Sequence, residues 1–461
     1  MQPWKALPAL LFLLAGCAST TPGSSTGDGS GLEPTKPFDD IWTDVRTVLA
    51  DVPCEASYTG TATSTENLLL LSAISIPTEQ EGTIHAELDI GGDLAVHARY
   101  GTSGFELYDI RDPLAPVVIG NWTYTDEDGE PINAGALDVK FLPDNKTVIV
   151  GAGDGIQMVD VSDVGNMRLL SFWHKADATG VIQDPANDFV SYNPHMLYSK
   201  RIADADWVFM APNANSGVWI LKVEGEGDAR HLTYVTQTLP VEGGPLGPHD
   251  MWVGTDELTG NEYLYSADGF HGWTVFDVSD PTTPTPVGGL FNPAELAYTH
   301  TLQAATINGK RIVATIGEVG VNFLRIYDAT ILAAPILLGV YQAETLPEGT
   351  NAPAPTNPQH NLNIVGGKLY FAYYSFGMYV FDLEAVASQP SLPLVQTATL
   401  TPAAHYAVGV EPTRGPTAFT GFWDVVLKDG VIYVSHIEGG LVVLGYGCNT
   451  ELPNVALTST G

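Results

Sequence analysis

Short hydrophobic runs, each closed by polar turn residues, recur along most of this sequence. Seven of them fall into register, namely GFELYDIRDPLAP at 104–116, GIQMVDVSD at 155–163, GVWILKVEG at 217–225, GWTVFDVSDPTTP at 272–284, FLRIYDA at 323–329, GMYVFDL at 377–383 and GLVVLGY at 440–446. β-Branched and aromatic residues followed by Asp, Ser and Pro are typical of a strand that ends in a tight turn. The pattern therefore predicts seven repeated units.

Two further hydrophobic runs precede each unit and one follows it. Around Gly377, for example, HNLNIV and KLYFAYY come before the unit and LPLVQTATL at 392–400 comes after it. Four short antiparallel strands repeated in this way are typical of propeller blades. A helical period is confined to a short stretch around 39–52. We expect an all-β fold, a seven-bladed β-propeller built from four-stranded antiparallel blades.

The last unit lacks a following strand, because the chain after Gly447 carries no further hydrophobic run of this kind. NLLLLSAISIP at 67–77 stands ahead of the first unit and resembles the outermost strands. We expect this N-terminal strand to complete the last blade, which would leave no long edge unpaired. Cys54 and Cys448 would flank that seam. They predict a disulfide in an exported protein, and two free thiols are the alternative.

The N-terminus has the features of an export signal. One lysine at Lys5 is followed by a hydrophobic run at 6–14, too short for a permanent membrane span, and then by LAGC at 14–17. LAGC resembles the lipobox of bacterial lipoproteins, which implies cleavage before Cys17 and a lipid on its sulfur. Ala18 after the cysteine favours the outer membrane, with the protein periplasmic or surface-exposed. An ordinary secretory signal with an incidental cysteine is the alternative.

The chain is therefore predicted to have three parts. Residues 1–17 are the signal peptide with its lipobox, residues 18–37 are a flexible tether rich in Gly, Ser and Thr, and residues 38–461 are a single propeller domain.

The charge of the chain excludes one class of partner. Nineteen Lys+Arg against 53 Asp+Glu give a net charge of −34, which repels phosphate backbones and anionic headgroups. We expect no nucleic acid, a monomer, and membrane attachment through the lipid alone.

Two of the repeats carry a more specific signature. VFDVSDPTTP at 275–284 and LYDIRDPLAP at 107–116 resemble the LVIVD repeat of bacterial cell-envelope propellers. The resemblance spans 67–446, although the third, fifth and seventh units lack the Asp-Pro turn. It implies a β-propeller at the cell envelope and no single activity.

The innermost strands share a histidine at one position. The five histidines are His85, His195, His249, His300 and His360, and the other two units have Leu137 and Trp423 there. Only eleven histidines occur in the chain, so chance does not explain this alignment. Because the first strand of a blade lines the propeller axis, the pattern predicts that these imidazoles converge there.

A cluster of neutral imidazoles suits a transition metal ion such as Cu, Fe or Zn. The run His195, His249, His300 and His360 comes from consecutive units, so we expect these four as ligands, with His85 as a fifth ligand or a nearby base. The alternative is structural, with each histidine bonded to an Asp that ends the third strand. The histidine and the Asp do not always occur in the same unit, because the second unit has Asp160 without the histidine and the third has His195 without the Asp.

Other residues on the same face are weaker candidates. His271, Glu318 and Glu438 lie in loops and could orient the ligands. Two long insertions, at 176–192 and 402–420, enter on this face, and His405 and Arg414 in the second could reach over the axis. Polar residues follow the histidine position in most units, and strand alternation predicts that they hold turns or neighbouring blades. These are Asp138, Asp250, Thr301, Asn361 and Asp424.

Familiar catalytic motifs do not occur in the sequence, which has no GxSxG elbow, HExxH helix or phosphate-binding Gly-rich loop. We expect a transition-metal-binding propeller lipoprotein, with metal-dependent oxidoreductase or hydrolase chemistry on a small molecule as one outcome. The alternative is a metal-free cell-surface scaffold for a protein or a glycan.

Overall fold

The computed structural model describes residues 36–448, except 51, 53, 55–64, 75–83, 101–103, 124, 126–136, 154, 179–193, 213–215, 240–246, 292–297, 319–322, 343–358, 375, 390–397 and 407–420. The expected signal peptide, Cys17, Arg414 and nearly all of the tether lie outside these residues. A helix α1 (Phe38–Leu49) and a strand β1 (Leu68–Ile74) precede the first blade. The helix confirms the helical pattern expected around 39–52.

The fold is the seven-bladed β-propeller that the repeats predict. Blade one is β2 (His85–Gly91), β3 (Leu94–Arg99), β4 (Phe105–Asp109) and β5 (Val117–Trp122). Blade two is β6 (Asp138–Phe141), β7 (Thr147–Ala152), β8 (Gly155–Asp160) and β9 (Arg168–His174). Blade three is β10 (Met196–Ile202), β11 (Ala205–Ala211), β12 (Trp219–Glu224) and β13 (His231–Gln237).

The remaining blades follow the same order along the chain. Blade four is β14 (Asp250–Thr255), β15 (Glu262–Ala267), β16 (Trp273–Asp277) and β17 (Thr285–Leu290). Blade five is β18 (Thr301–Ile307), β19 (Lys310–Ile316), β20 (Leu324–Asp328) and β21 (Ile336–Tyr341). Blade six begins with β22 (Leu362–Val365), β23 (Lys368–Ala372) and β24 (Met378–Asp382). A short helix α2 (Leu383–Ala387) and two short strands, β25 (Ala398–Thr399) and β26 (Ala404–Tyr406), follow. Blade seven ends the chain with β27 (Phe422–Lys428), β28 (Val431–His436) and β29 (Gly440–Tyr446).

The first strands of the blades form the centre of the fold. Each innermost strand contacts the next, in the order β2, β6, β10, β14, β18, β22 and β27. Strand β27 also contacts β2, so these seven strands close a ring. Side chains from neighbouring blades form hydrophobic clusters between the sheets, as where β10 and β11 meet β14 to β16. Residues at the start of these strands, far apart in sequence, are therefore brought together around one axis.

The N-terminal strand closes the last blade as predicted. β1 pairs antiparallel with β29, from Leu68 opposite Tyr446 to Ile74 opposite Leu441. Helix α1 packs its buried Trp42, Val45 and Leu49 into the cluster formed by blades one and seven. The expected disulfide between Cys54 and Cys448 is present, and it links positions 394 residues apart in the sequence. The seam is thus covered by a strand, a helix and a covalent bond.

Blade six departs from the expected arrangement. Ala398–Thr399, in the described end of the LPLVQTATL run, pairs in parallel with β21 of blade five instead. The outer strand of blade six is β26, which pairs antiparallel with β24. After β24 the chain forms α2, whose first turn is capped by the Asp382 carboxylate, which accepts from the backbone N–H groups of Glu384 and Ala385.

The aspartate that ends the third strand holds the turn that follows it. In five blades its carboxylate accepts a hydrogen bond of 2.9–3.1 Å from the backbone N–H two residues later. The aspartates concerned are Asp109, Asp160, Asp277, Asp328 and Asp382. The repeated Asp is therefore explained by local turn geometry without any bond to the axial histidines.

Neither of the two α-helices in the described part of the chain has the length and apolar character that a membrane-spanning helix needs.

The disulfide at the seam gives a first testable prediction. A bond that closes so long a loop reduces the freedom of the unfolded chain, typically by about 2–4 kcal/mol of unfolding free energy. We expect Cys54→Ser, made together with Cys17→Ser so that Cys17 cannot pair with the freed Cys448, to lower the thermal midpoint clearly. Reductant should lower the midpoint of the Cys17→Ser protein by the same amount and leave the double variant unchanged. Equal midpoints for all of these samples would contradict a stabilising role.

Candidate functional site

Four of the five predicted histidines lie in contact in the described structure. Ring centroids are 4.4 Å apart between His195 and His249, 4.2 Å between His249 and His300, and 4.5 Å between His300 and His360. Each histidine lies at or just before the start of an innermost strand, from β10 to β22. Consecutive blades thus deliver consecutive members of the row, as the aligned sequence units predict.

Hydrogen bonds to the neighbouring blade orient two of these rings. His300 Nδ1 lies 3.0 Å from the backbone oxygen of His360, and His360 Nδ1 lies 2.8 Å from that of Trp423. A carbonyl oxygen only accepts, so Nδ1 carries a proton in both rings. Each bond also joins one blade to the next.

The proton on Nδ1 determines what the other nitrogen of His300 offers. Burial lowers the pKa of His300, although the nearby Glu318 carboxylate opposes that effect, so the ring is neutral at neutral pH. Its Nε2 then carries a lone pair, is buried, and makes no hydrogen bond among the described residues. Glu318 Oε2 faces this nitrogen at 3.5 Å. Two electron-pair donors thus face one another, the imidazole buried and the carboxylate partly exposed.

His249 lies beside the same gap. One nitrogen of His249, one of His300 and one carboxylate oxygen of Glu318 all lie within 4.8 Å of one another, close enough to hold a single metal ion. His249 Nε2 is also 2.9 Å from His195 Nε2. Two imidazoles and a carboxylate therefore converge at this point.

Burial keeps the flanking rings neutral as well. It lowers the pKa of His195 to about 3, with help from the nearby His300. The pKa values of His249 and His360 lie well below the ordinary 6.5, first because of burial and then because of His300. Metal binding requires the neutral form of imidazole, so this environment favours it.

Tyr374 contacts the carboxylate from the opposite side. Its phenol donates a hydrogen bond of 2.9 Å to Glu318 Oε1, and its ring lies 5.1 Å from that of His360. The backbone of Tyr374 has a φ of 33°, a strained value for a bulky residue. A two-way backbone bridge with Phe422 holds it there, with N–H to oxygen distances of 3.0 and 3.1 Å. Nothing in the sequence indicated this residue.

His85 contacts a different set of side chains. Its ring stacks on His97 with centroids 4.2 Å apart, and its Nε2 lies 3.1 Å from Glu106 Oε2. His97 in turn lies 2.6 Å from Ser435 Oγ. The structure thus places His85 in a buried polar group between blades one and seven, and not in the row of four contacting imidazoles.

The loop residues proposed to orient the ligands are placed differently from one another. Glu318 contacts His300 directly, whereas His271 is half-buried in the turn after β15 and its backbone N–H donates to the Asp268 oxygen. Glu438 is half-buried in the turn between β28 and β29. Neither His271 nor Glu438 belongs to the converging group of the described residues.

The expectation that His405 reaches the axis is wrong. His405 lies in β26, the outer strand of blade six, where it is fully buried and stacks on Tyr379 with centroids 4.1 Å apart. Its Nε2 lies 2.6 Å from the backbone oxygen of Phe376. The short strand carries this histidine to the rim because it pairs with β24, the third strand of the blade.

The polar residues after the histidine position connect the blades, as predicted. The carboxylate of Asp138 accepts from the backbone N–H of Leu197 in the next blade, and that of Asp424 accepts from Leu88 at 3.0 Å. In both cases the acceptor reaches from one innermost strand to the next. Asp138, Asp250 and Asp424 are all buried.

A bulge in β2 adds a residue that the sequence alignment missed. The pairing of β2 with β3 shifts between His85 and Leu88, so one extra residue is inserted there. The backbone N–H of Leu88, three residues after His85, donates to the preceding blade, as that of Leu197 does two residues after His195. Glu87 consequently occupies the polar position of blade one, where its carboxylate accepts from Asn361 Nδ2 at 2.7 Å and from Trp423 Nε1 at 2.9 Å.

No protein-family model matches this chain, and no curated protein does so either. Among solved structures, Saccharomyces cerevisiae Sqt1 is 10% identical with a TM-score of 0.49, covering 85% of this chain and 100% of that one. The computationally designed Ika8 protein is also 10% identical, with a TM-score of 0.44 over 81% of this chain and 98% of that one. A chain of the Mitotic Checkpoint Complex is 12% identical, with a TM-score of 0.47 over 84% and 95%. With TM-scores below 0.5, these likenesses carry no argument.

The propeller itself fits a binding or scaffold role, because the loops between its strands converge on two faces around the axis. On the histidine face, the converging imidazoles and Glu318 are the candidate site.

Asp268 holds the loop beside this site and gives a pH-dependent prediction. Its carboxylate is buried and accepts from Ser266 Oγ at 2.6 Å and Thr274 Oγ1 at 2.7 Å, yet burial raises its pKa to about 7. The folded state therefore binds this proton more tightly than the unfolded chain, where aspartate titrates near ~3.9. The group's contribution to the free energy of unfolding is thus full at low pH and is lost as pH rises through about 7.

We expect Asp268→Asn, which cannot lose that proton, to gain thermal stability relative to the wild type steadily between pH 4 and pH 8. Thermal denaturation followed by circular dichroism measures this. Asp204→Asn, at an exposed turn, serves as the matched control and should keep a constant difference from the wild type. A constant difference for Asp268→Asn as well would contradict the raised pKa.

Proposed function

We propose that this protein binds one transition metal ion on the histidine face of the propeller, through His249, His300 and Glu318. His195 and His360 complete the row on either side. In this proposal the protein is a metal-binding propeller. Its activity is metal-dependent oxidoreductase or hydrolase chemistry on a small molecule.

The observation that carries the proposal is the gap between the buried His300 Nε2 and the Glu318 Oε2, whose side chain is partly exposed. The Nδ1 proton of His300 is committed to the His360 oxygen, so a lone pair faces a carboxylate at 3.5 Å. A proton or a cation between two such acceptors would satisfy both. A proton on His300 would make it a buried imidazolium, which the lowered pKa of this ring disfavours, and a proton held by the Glu318 carboxyl is the metal-free alternative. A metal cation satisfies both groups, and His249 supplies a third donor within 4.8 Å.

The donor set narrows the chemistry. Two imidazoles with one carboxylate, which leave coordination positions open, are typical of catalytic zinc and of non-haem iron sites. A set richer in imidazole suits copper too, and the 2.9 Å between the Nε2 atoms of His195 and His249 fits adjacent ligands, since nitrogens ~2.1 Å from a metal at right angles lie ~3 Å apart. Open positions on such an ion polarise a bound substrate or activate water.

The proposed location rests on the sequence. LAGC at 14–17 and the LVIVD-like repeats favour a bacterial lipoprotein anchored in the outer membrane through Cys17. The disulfide between Cys54 and Cys448 is consistent with an oxidising compartment outside the cytoplasm. We propose that the metal site is therefore presented in the periplasm or at the cell surface.

A metal-free scaffold is the competing function, and one observation favours it. The Nδ1 bonds from His300 to His360 and from His360 to Trp423 tie blade five to blade six and blade six to blade seven. Such bonds give the histidines a structural role that needs no ion. The propeller face would then bind a surface protein or a glycan.

Metal analysis separates the two functions. Protein purified without an affinity tag should contain about one equivalent of Cu, Fe or Zn per chain by inductively coupled plasma mass spectrometry. We expect Glu318→Gln and His300→Gln each to reduce that content at least tenfold after dialysis, because each removes one donor. Glutamine at position 300 keeps an N–H for the His360 oxygen, which protects the fold.

Glu226→Gln and His231→Ala are matched controls at exposed or rim positions, and they should retain the metal. Circular dichroism should show that all four variants are folded. Metal content that stays substoichiometric after incubation with each ion, or that neither axial variant lowers, would favour the scaffold.

Tyr374 offers a second prediction within this proposal. Its phenol fixes one oxygen of Glu318, and the loss of such an orienting bond typically weakens metal affinity by about 10–100-fold. We expect Tyr374→Phe to fold normally and to show this loss of metal affinity when a chelator competes for the ion. At saturation it should still bind one equivalent of metal. Tyr373→Phe, at the neighbouring buried tyrosine, is the control. Equal loss in both variants would indicate a general packing effect.

A further inference from the structure

The seven innermost strands enclose a second feature, a central cavity of ≈ 460 Å³. Its inner end is lined by the polar layer that follows the histidine position, including Glu87, Asp250, Asn361 and Asp424. The cavity volume lies within the range of small-molecule pockets and far above the space that one ion needs. It is distinct from the His249, His300 and Glu318 group, none of which lines it.

The charges that line this cavity are unevenly compensated. Its basic residues each have a carboxylate partner outside the lining, with Lys140 bound to Asp138, Lys200 3.2 Å from Glu262 and Arg201 3.3 Å from Asp206. The acidic lining residues Glu87, Asp89, Asp250 and Asp424 form no salt bridge among the described residues. Their hydrogen bonds come from neutral backbone and side-chain donors, as for Asp89, which accepts from Phe141 N–H at 2.7 Å, and Lys140 is a nearby cation that acts on Glu87 and Asp89.

The amide of Asn361 gives an independent indication that a ligand group is missing. Asn361 lines the cavity and is 5% exposed. Its Nδ2 donates to Glu87 at 2.7 Å and to Asp424 at 3.1 Å, whereas its Oδ1 makes no hydrogen bond among the described residues. A buried amide oxygen without a partner is costly, and a hydrogen-bond donor would satisfy it. The cavity thus lacks a cation for its carboxylates and a hydrogen-bond donor for the Asn361 oxygen.

Two observations favour an organic cation over a metal ion. Among the described residues of this cavity, no three ligand atoms of His, Cys, Asp or Glu lie within 4.8 Å of one another. Lys140 also shows that the polar layer accepts an ammonium group, because its own ammonium binds Asp138 there. The positions equivalent to Lys140 in the next two blades are Tyr198 and Trp252, which line the cavity as aromatic walls. Aromatic faces attract organic cations.

We propose that the central cavity binds a small organic cation, with its ammonium group held by Glu87, Asp250 and Asp424 and its carbon chain against Tyr198 and Trp252. This site is separate from the proposed metal site and does not depend on it.

Isothermal titration with butylammonium chloride tests the proposal, with butan-1-ol as the neutral isostere. We expect butylammonium to bind the wild-type protein with one-to-one stoichiometry and butan-1-ol to bind at least tenfold more weakly. Asp250→Asn and Glu87→Gln should each weaken butylammonium binding at least tenfold. Glu226→Gln removes one equal charge at an exposed position and should leave the dissociation constant unchanged, which controls for the acidic surface.

The comparison of butylammonium with butan-1-ol on the wild-type protein tests whether binding needs the positive charge, even if a cavity variant fails to fold. Equal affinity for the two probes would overturn the proposal. An equal loss in Glu226→Gln and Asp250→Asn would do the same, because binding would then reflect net charge. Tight binding of CaCl₂ that depends on Asp250 and Glu87, in the absence of butylammonium binding, would identify a metal site instead.

Discussion

Pairing of β1 with β29 is the constraint on which the rest of this structure depends. It completes blade seven, and the contact of β27 with β2 then closes the ring of innermost strands. Only a closed ring gives a common axis, and only a common axis brings His195, from blade three, near His300, from blade five. The candidate site and the central cavity are both consequences of that closure, since neither is formed within one blade.

Sequence periodicity predicts most of this fold because each blade repeats the same local physics. Hydrophobic strands closed by an Asp turn specify the blade count and the position of the closing strand. The outer edge of blade six was not predictable in the same way. Ala398–Thr399 has the character of an outer strand, yet it pairs with blade five, and α2 stands between it and β24 in the chain. Pairing partners at an edge depend on where a connection leads, which hydrophobic pattern alone does not encode.

The candidate site was predictable only as far as the repeats are regular. Aligned positions correctly indicated the contacts from His195 to His360, but His85 aligns equally well and contacts His97 and Glu106 instead. The β2 bulge shifts Glu87 into the polar layer, and one inserted residue leaves no mark in a hydrophobic pattern. Tyr374 reaches Glu318 through a left-handed backbone held by Phe422, a tertiary effect without a local sequence signal.

The covalent bond at the seam also has a mechanical consequence. A pull on the chain ahead of Cys54 reaches Cys448 through the disulfide, and Cys448 lies two residues beyond the end of β29. The load is thereby passed to the strand at the centre of blade seven without first peeling β1 from its edge, where hydrogen bonds would break one at a time. A tension applied from the N-terminal side would thus be carried by a covalent bond that bypasses the β1–β29 pairing.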